Sequence, residues 1–263
     1  MNLIRIGQSF SSRFFALIAS SVLTASACSN LTFADEPTTQ ETASSKEKPV
    51  KEAASNAETG NKKSEAAGNW KPLEGSWVVS QFGGDGPVEI KGNSCKIGFG
   101  DPLTGIRWEG ELPRENFEVE LEAKRTDGFD FFCALTFPVG ENNVSFILGG
   151  WGGGVVGISS VDGFDASENE TTSFRNFDND RWYKVRARVD AYQIQCWIDD
   201  KAAAEQVRKG HEFDIRYEMD QCVPLGVAAF QCKSEMRNMR IRKLTEEEIK
   251  AANEAVKADS DKK

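Results

Sequence analysis

RWYKVRARVDAYQIQCWIDD, residues 181–200, is the stretch of this chain that decides its fold. Apolar and polar side chains alternate strictly on both sides of a short break at Asp190 and Ala191. The apolar face consists of Tyr183, Val185, Ala187, Val189, Ile194, Cys196 and Ile198. Alternation with a period of two around a short connection is typical of antiparallel strands that are buried on one face. The stretch therefore predicts a β-hairpin.

Six further segments repeat the strand pattern, and glycine-rich turns separate several of them. Their approximate bounds are 117–124, 130–137, 144–151, 155–161, 223–232 and 236–244. No helical periodicity stands between them. Many strands without intervening helices predict an all-β fold, a two-sheet antiparallel jelly-roll sandwich of the concanavalin-like kind, over residues 70–244.

The last segment, residues 245–263, predicts a short helix followed by a polar tail. Thr245 and Glu248 have the spacing of a capping box, in which two side chains satisfy backbone groups at the start of a helix. Ile249, Ala252 and Val256 form only a thin apolar stripe. We therefore expect this helix to lie loosely on the surface.

The beginning of the chain differs in composition from the rest. Residues 1–34 contain arginines near the start and a short apolar core, which predicts an export signal. Alternatively, the residues before Cys28 suggest a lipoprotein signal with a lipid anchor. The apolar core is too short to span a bilayer comfortably, so we expect no transmembrane span. Residues 35–69 predict a disordered linker. An exported protein follows, whether periplasmic, anchored to an outer membrane or extracellular.

The charge balance argues against some classes of partner, and the positions of the cysteines argue against disulfide bonds. A net charge of -9 without a basic stripe makes nucleic acid and anionic membranes unexpected partners. Cys133 and Cys196 fall on apolar strand faces, whereas Cys222 and Cys232 flank one predicted strand, too far apart to bridge. We expect mostly free, buried thiols.

Charges of opposite sign follow two of the predicted strands. Glu118, Glu120 and Glu122 share the polar face of one strand, and Arg186 and Arg188 share that of another. If the two strands are neighbours, cross-strand ion pairs follow. A ligand-binding role for these charges is the alternative.

His211 is the only histidine of the chain, and we expect it to be exposed in a loop rather than catalytic. A single histidine excludes the usual zinc site of several histidines, and no nucleophile elbow is present for a Ser-His-Asp triad. Any catalytic base is therefore expected to be a carboxylate. No cofactor is certain, and any metal should be a divalent cation with oxygen ligands.

Two tryptophans could bind a sugar. Glycines surround Trp151 on both sides and would leave its ring face open to a ligand. Trp108 stands beside Glu109 and would pair an aromatic platform with a carboxylate. A tryptophan packed in the core has the same sequence signature, so both interpretations stay open.

An acidic loop from Asp162 to Thr172 is the second candidate cluster. Asp162, Glu168, Asn169 and Glu170 could bind a cation or accept hydrogen bonds from sugar hydroxyls. Their spacing does not match an EF-hand loop. A plain solvated loop is the alternative.

The chain resembles the 3-keto-disaccharide hydrolase family, formerly a domain of unknown function with a concanavalin-like jelly roll. The similar segments are 70–77, 116–122, 181–183, 197–200, 224–227 and 237–242. The resemblance implies action on glycosides oxidised at the third sugar carbon, where the ketone acidifies a neighbouring C–H for removal by a base. The segment 129–172 departs from the family.

Two functions therefore stay open from the sequence. The first is a carbohydrate-active hydrolase or lyase that acts on glycosides by carboxylate acid/base chemistry, with Glu109, Glu168 and Glu170 as catalytic candidates. The second is a non-catalytic carbohydrate-binding module. In both, the candidate substrate-binding residues are Trp108, Trp151, Asp162 and Asn169.

Overall fold

The computed structural model describes residues 69–261, and within this range fifteen strands form two antiparallel sheets. The strands are β1 (Lys71–Pro72), β2 (Trp77–Val79), β3 (Val88–Lys91), β4 (Ser94–Ile97), β5 (Leu103–Trp108), β6 (Phe117–Gly128), β7 (Cys133–Val139), β8 (Asn142–Gly149), β9 (Val155–Ser159), β10 (Ser173–Phe174), β11 (Tyr183–Val189), β12 (Gln193–Ile198), β13 (Lys201–Val207), β14 (Gly226–Phe230) and β15 (Cys232–Lys243). A 3-10 helix (Tyr217–Cys222) and a C-terminal helix (Glu246–Ser260) complete the main elements.

Sheet A has eight strands in the order β13-β12-β11-β6-β15-β4-β3, and β1 also pairs with β15. Sheet B has seven strands in the order β10-β9-β8-β7-β14-β5-β2. Neighbours in each sheet are antiparallel, and most of them are distant in sequence. The predicted two-sheet jelly-roll sandwich is confirmed.

One large hydrophobic cluster fills the space between the sheets. The apolar face of the 181–200 hairpin contributes fully buried residues to it, including Tyr183, Val185 and Ile194. β11 and β12 pair as the alternation predicts, with Ala187 opposite Cys196. The hairpin is confirmed, because one apolar face on each strand is what closure of a sandwich requires.

The alternation predicted over 130–137 fails at its start. β7 begins only at Cys133, and Phe131 and Phe132 precede it in irregular backbone. Phe132 lies fully buried in the main core instead of sharing a face with Thr136, whereas Phe131 packs on the outside of sheet B. Both faces of β7 are buried, so its apolar residues do not reveal which face is which.

The C-terminal helix begins as predicted, with the complete capping box of Thr245 and Glu248. The helix lies on the surface as expected, with Ala252 as its buried residue, and ion pairs hold it at both ends. Glu248 also accepts hydrogen bonds from both terminal nitrogens of Arg242, each at 2.8 Å, and lies 3.3 Å from Arg188. Near the other end, Lys209 Nζ lies 2.9 Å from Asp259 Oδ2. Ion pairs therefore fasten a helix whose apolar stripe is thin.

The five cysteines in the described range are all unpaired and buried, as the strand positions predict: Cys95, Cys133, Cys196, Cys222 and Cys232. Burial raises the pKa of the Cys95 and Cys222 thiols to about 12. These thiols are therefore protonated at neutral pH and behave as small apolar groups.

The predicted export signal, Cys28 and all of the predicted linker except Asn69 lie outside the described residues. Among residues 69–261, no helix combines the length and the apolar character needed to cross a membrane.

Candidate functional site

The outer face of sheet A carries the charged ladder that the sequence predicts. β6 lies between β11 and β15, so each glutamate on its outer face stands between basic residues. Glu118 lies 2.9 Å from Arg242, Glu120 lies 2.6 Å from Arg240, and Glu122 lies 2.6 Å from Arg237. Arginines and lysines of β11 approach the same carboxylates from the other side. They are Lys184 at 3.4 Å from Glu120, with Arg186 at 3.8 Å and Arg188 at 3.7 Å from Glu118.

Three tryptophans on the same face are covered by these cations. The Arg237 guanidinium lies 3.9 Å from the Trp182 ring centroid, and Arg186 lies 4.2 Å from that of Trp197. Arg240 lies 4.7 Å from the Trp70 ring. Cation–π contacts of this kind occupy the ring faces that a sugar would need. The predicted ion pairs are confirmed, and the charges and rings of this face mostly contact one another, although the buried Nε of Arg186 has no hydrogen-bond partner among the described residues.

The outer face of sheet B is different, because a second hydrophobic cluster covers it. Leu103, Ile147 and Met219 belong to this cluster, and the 3-10 helix Tyr217–Cys222 packs over it. A cavity of about 510 Å³ opens beside the 3-10 helix and is called here the Trp151 cavity. Its aromatic lining residues are Phe131, Trp151, Tyr217 and Phe230. Its polar lining residues are Asp130, Ser145, Ser159, Arg216 and Glu218.

Trp151 is held in an unusual backbone conformation at the mouth of this cavity. It follows β8 in a tight turn, with φ 49° and ψ 52°, in the left-handed region that few non-glycine residues adopt. Its neighbour Gly153 has φ +106°, and a Cβ there would stand 2.4 Å from the Phe129 carbonyl oxygen. The turn leaves the Trp151 residue 45% exposed. Trp151 is therefore not a core tryptophan, and its role as a sugar platform stays a prediction.

Asp130 forms a fixed carboxylate in the lining of the Trp151 cavity. Its Oδ1 accepts from the Phe131 backbone N–H at 2.7 Å, and its Oδ2 accepts from that of Gly152 at 2.9 Å. The second bond ties Asp130 directly to the Trp151 turn. Beneath it, the buried Arg125 donates to the Asp130 carbonyl at 3.2 Å and to the Phe177 carbonyl at 2.7 Å. The aromatic ring and the carboxylate are therefore positioned as one unit.

Another part of the lining carries a chain of polar groups. Arg216 donates from Nε and one terminal nitrogen to the two oxygens of Glu218, at 3.2 and 2.9 Å, and its other terminal nitrogen donates to Asp165. Ser159 Oγ donates to Asp165 at 3.2 Å. The fork of Arg216 lowers the pKa of Glu218 below its usual range. A carboxylate in this state is a poor proton donor near neutral pH.

Trp108 and Glu109 are not brought to this cavity. Trp108 is buried in the main core with its ring 5.3 Å from that of Trp77, and Gly110 lies against the Trp108 indole. Glu109 lies outside the core and pairs with Arg107 at 2.8 Å. The expectation of an open platform at Trp108 is corrected, since the core interpretation holds for this tryptophan.

The acidic loop is built around Asn169 and does not line the Trp151 cavity. The Asn169 amide donates to the carbonyls of Ile158, Phe164 and Asp165, and its oxygen accepts from Thr171. These bonds use the polar groups of Asn169 to fold the loop. A ligand-contacting role for Asn169 is therefore not supported by its geometry.

The carboxylates of the loop point to a different neighbourhood. Asp162 lies 2.7 Å from Nδ1 of His211, which is partly buried rather than free in solvent, and Glu170 lies 3.7 Å from Nε2 of the same ring. Glu170 also accepts from Gln206 at 2.6 Å. The backbone N–H of Glu212 and the His211 ring lower the pKa of Asp162. Glu168 is exposed, and its side chain has no hydrogen bond or ion pair to any described residue.

Within residues 69–261, no three histidine, cysteine or acidic side chains come together in a way that could hold a metal ion. The acidic loop therefore does not assemble the oxygen-ligand site for a divalent cation that the sequence leaves open.

Sequence reasoning missed Asp130, Arg216, Tyr217 and Glu218. The sequence pattern predicts Asp130 as a polar position of a strand, whereas in the structure Asp130 precedes β7. The other three lie in or beside a short 3-10 helix that has no periodic pattern to reveal it. A possible signal was the aromatic Tyr217 between two charged residues, in a segment without strand alternation.

Comparisons with known proteins give similarities of fold. No family model matches the chain, and no curated protein matches it, so the family resemblance stays a prediction. A carbohydrate-binding module from Bacillus subtilis is similar at TM-score 0.42 and 11% identity, over 66% of this chain and 99% of that one. A protein of unknown function with a galectin-like fold from Bacillus subtilis gives 0.45 and 11%, over 66% and 94%.

The fourth domain of an extracellular arabinanase from Geobacillus stearothermophilus, in complex with arabinotriose, gives a TM-score of 0.42 at 15% identity, over 65% of this chain and 85% of that one. Identities and TM-scores this low carry no function from those proteins to this chain.

Proposed function

We propose that this protein binds a carbohydrate in the Trp151 cavity. The observation that supports this most is the exposed ring of Trp151, hydrogen-bonded through its own turn to the carboxylate of Asp130. A sugar ring has apolar C–H faces and a fringe of hydroxyls, so its site needs an aromatic surface next to fixed polar groups. Trp151 supplies the first, and Asp130 supplies the second.

The rest of the cavity supports the same proposal. Phe131, Phe230 and the exposed Tyr217 extend the aromatic surface, while the hydroxyls of the buried Ser145 and Ser159 are bonded to Thr136 and Asp165. The volume of about 510 Å³ lies within the range of roughly 300–1,000 Å³ that is usual for small-ligand sites. These features favour one short stretch of glycan rather than a flat polymer surface.

Turnover of 3-keto-glycosides is the second candidate, and the presence of Asp130 in the cavity favours it. Removal of an acidified C–H needs a carboxylate base beside the sugar. Glu218 is less suited, because its pairing with Arg216 stabilises the ionised form and lowers its basicity. Asp130 is therefore the base that this second candidate requires, in place of Glu109, Glu168 and Glu170.

The place of action belongs to the proposal as well. An export signal within residues 1–34 would bring the domain to glycans outside the cytoplasm. A lipid anchor at Cys28 would keep it on a membrane surface.

A glycan array followed by calorimetry tests the binding proposal. Trp151→Ala should weaken binding of any glycan that the wild type retains by about 10- to 100-fold, since stacking on one ring contributes on the order of 1–3 kcal/mol. Phe174→Ala is the matched control, because Phe174 is 79% exposed and lies outside the cavity. Retention of full affinity by Trp151→Ala would refute the site.

A panel of 3-keto-glucosides separates the two candidates. Turnover that is lost in Asp130→Asn would favour the enzyme. Binding without turnover by the wild type would favour the module.

A further inference from the structure

We infer that the Trp151 cavity selects uncharged sugar residues and discriminates against sugars that carry a carboxylate, such as uronic acids. This inference deepens the proposed carbohydrate function and rests on it. It depends on how the charged groups of the cavity are paired with one another.

Asp130 presents acceptors to the cavity, and its carboxylate accepts from backbone N–H groups, while the nearby Arg125 donates to its backbone carbonyl. Each carboxylate oxygen has about two lone-pair sites, and one backbone N–H uses one site on each. The remaining sites can accept hydrogen bonds from sugar hydroxyls. A sugar carboxylate in the same place has no proton to donate and brings a second negative charge.

Arg216 is the only cation among the described residues that line the cavity, and it is already neutralised. Glu218 holds it through two hydrogen bonds, and Asp165 holds it through a third. Two of its five N–H donors remain, but an incoming carboxylate would share the one positive charge with two carboxylates that already lie against it. Among the lining residues, the two carboxylates of Asp130 and Glu218 against the one guanidinium of Arg216 give the cavity a negative surplus.

The apolar lining of the cavity strengthens the effect of this negative charge on a ligand. Phe131, Ile147, Met219 and Phe230 form an apolar wall, and charges act over a longer distance beside such a wall than in open water. Glu218 stays ionised in weakly acidic solution, because Arg216 lowers its pKa. The discrimination should therefore persist below neutral pH.

Matched oligosaccharides test the inference directly. Gluco-, galacto- and manno-oligosaccharides are compared with their uronic acid counterparts and with the methyl esters of those acids, for wild type and Trp151→Ala. On any backbone that binds, the neutral form and the methyl ester should bind about tenfold or more tightly than the acid. Raising the salt from about 0.05 to about 0.5 M should narrow this ratio, because salt screens the repulsion.

Two variants change the surplus in opposite directions. Glu218→Gln should reduce the neutral-to-acid ratio, and Arg216→Gln should increase it, whereas Phe174→Ala should leave it unchanged. An acid that binds as tightly as its ester, with binding lost in Trp151→Ala, would overturn the inference and leave the proposed function standing. Failure of every oligosaccharide to bind would overturn both.

Discussion

On the outer face of sheet A, three glutamates of β6 are each paired with an arginine of β15, and three tryptophans lie under cations. On the outer face of sheet B, the Trp151 ring is exposed, and the Asp130 carboxylate is held only by backbone N–H groups. Both faces carry aromatic and charged side chains. They differ in whether those groups satisfy one another or are left available.

This difference separates stability from recognition. A face whose charges and rings are mutually satisfied contributes to the folded state and offers little to a ligand. A face with an open ring and spare acceptors offers contacts that only a ligand can complete. The charge ladder of sheet A is the more conspicuous feature of the sequence, but the outer face of sheet B is the better candidate for binding.

Breaking the ladder should have the largest effect on stability. Glu118 is 2% exposed and lies between Arg242 and Arg188. We expect Glu118→Gln to lower the free energy of unfolding by about 3 kcal/mol, because it removes the most buried of the carboxylates that neutralise Arg242 and Arg188 and leaves Glu248 to pair with both. Urea denaturation measures the change.

The exposed pair of Asp127 and Lys233 is the control for this experiment, since both side chains are more than half exposed. Asp127→Asn should leave the urea midpoint unchanged within error. Equal losses from Glu118→Gln and Asp127→Asn would contradict the account of sheet A.

A pH series tests how much the ion pair between Glu248 and Arg242 stabilises the protein. Arg242 holds the pKa of Glu248 near 2, well below its usual value of 4.5. A depressed pKa contributes stability above pH 4.5 that is lost as the pH falls through about 2. Glu248→Gln keeps the capping box but removes the charge. The wild type should exceed this variant by about 2 kcal/mol at neutral pH, where partial exposure screens the pair.

The gap between wild type and Glu248→Gln should close as the solution is acidified from pH 4.5 to about 2. Thermal unfolding at several pH values follows it. A gap that stays constant down to pH 2 would mean that the charge of Glu248 does not fasten the helix.

Removal of a ring from sheet A should have a smaller effect. Trp182 lies between Arg237 and Lys124. Trp182→Ala should cost about 1 kcal/mol of stability, the order expected for cation–π contacts at a surface, and should leave glycan affinity unchanged. Loss of affinity in Trp182→Ala equal to that in Trp151→Ala would remove the distinction between the two faces.

Glu168 should give the smallest effect of all. Glu168 is exposed, its side chain makes no hydrogen bond or ion pair to a described residue, and it does not line the Trp151 cavity. Glu168→Gln should change neither the urea midpoint nor glycan binding. A clear loss of binding or turnover would return the acidic loop to the site.

The sequence predicts those parts of the molecule in which apolar and polar residues alternate regularly. The 181–200 hairpin and the Glu118 ladder follow from alternation, because each strand of a sandwich has one inward face. The capping box predicts the helix start but not the ion pairs of Glu248 with Arg242 and Arg188, since the sequence does not show which way the helix turns after β15. The exposed ring of Trp151 is foreseen as one of two alternatives.

The partners of Trp151 could not be predicted in the same way. Asp130 and Glu218 are distant in sequence and meet in one cavity only because β7 and β14 are neighbours in sheet B and the 3-10 helix packs on β14 and β5. Trp108 carries the same local signal as Trp151, yet it lies in the core. Strand order and packing decide whether such a tryptophan is exposed or buried, and neither can be derived from a single sequence.

The six tryptophans of the chain test the central claim in one experiment, because each indole N–H reports on one place. Trp151 lies at the cavity of sheet B, Trp77 and Trp108 lie in the core, and the other three lie on the outer face of sheet A. The protein is titrated with the tightest-binding neutral oligosaccharide while the six indole resonances are followed by NMR. The account predicts a saturable shift of the Trp151 resonance alone. A shift of the sheet A tryptophans with Trp151 unmoved would contradict it.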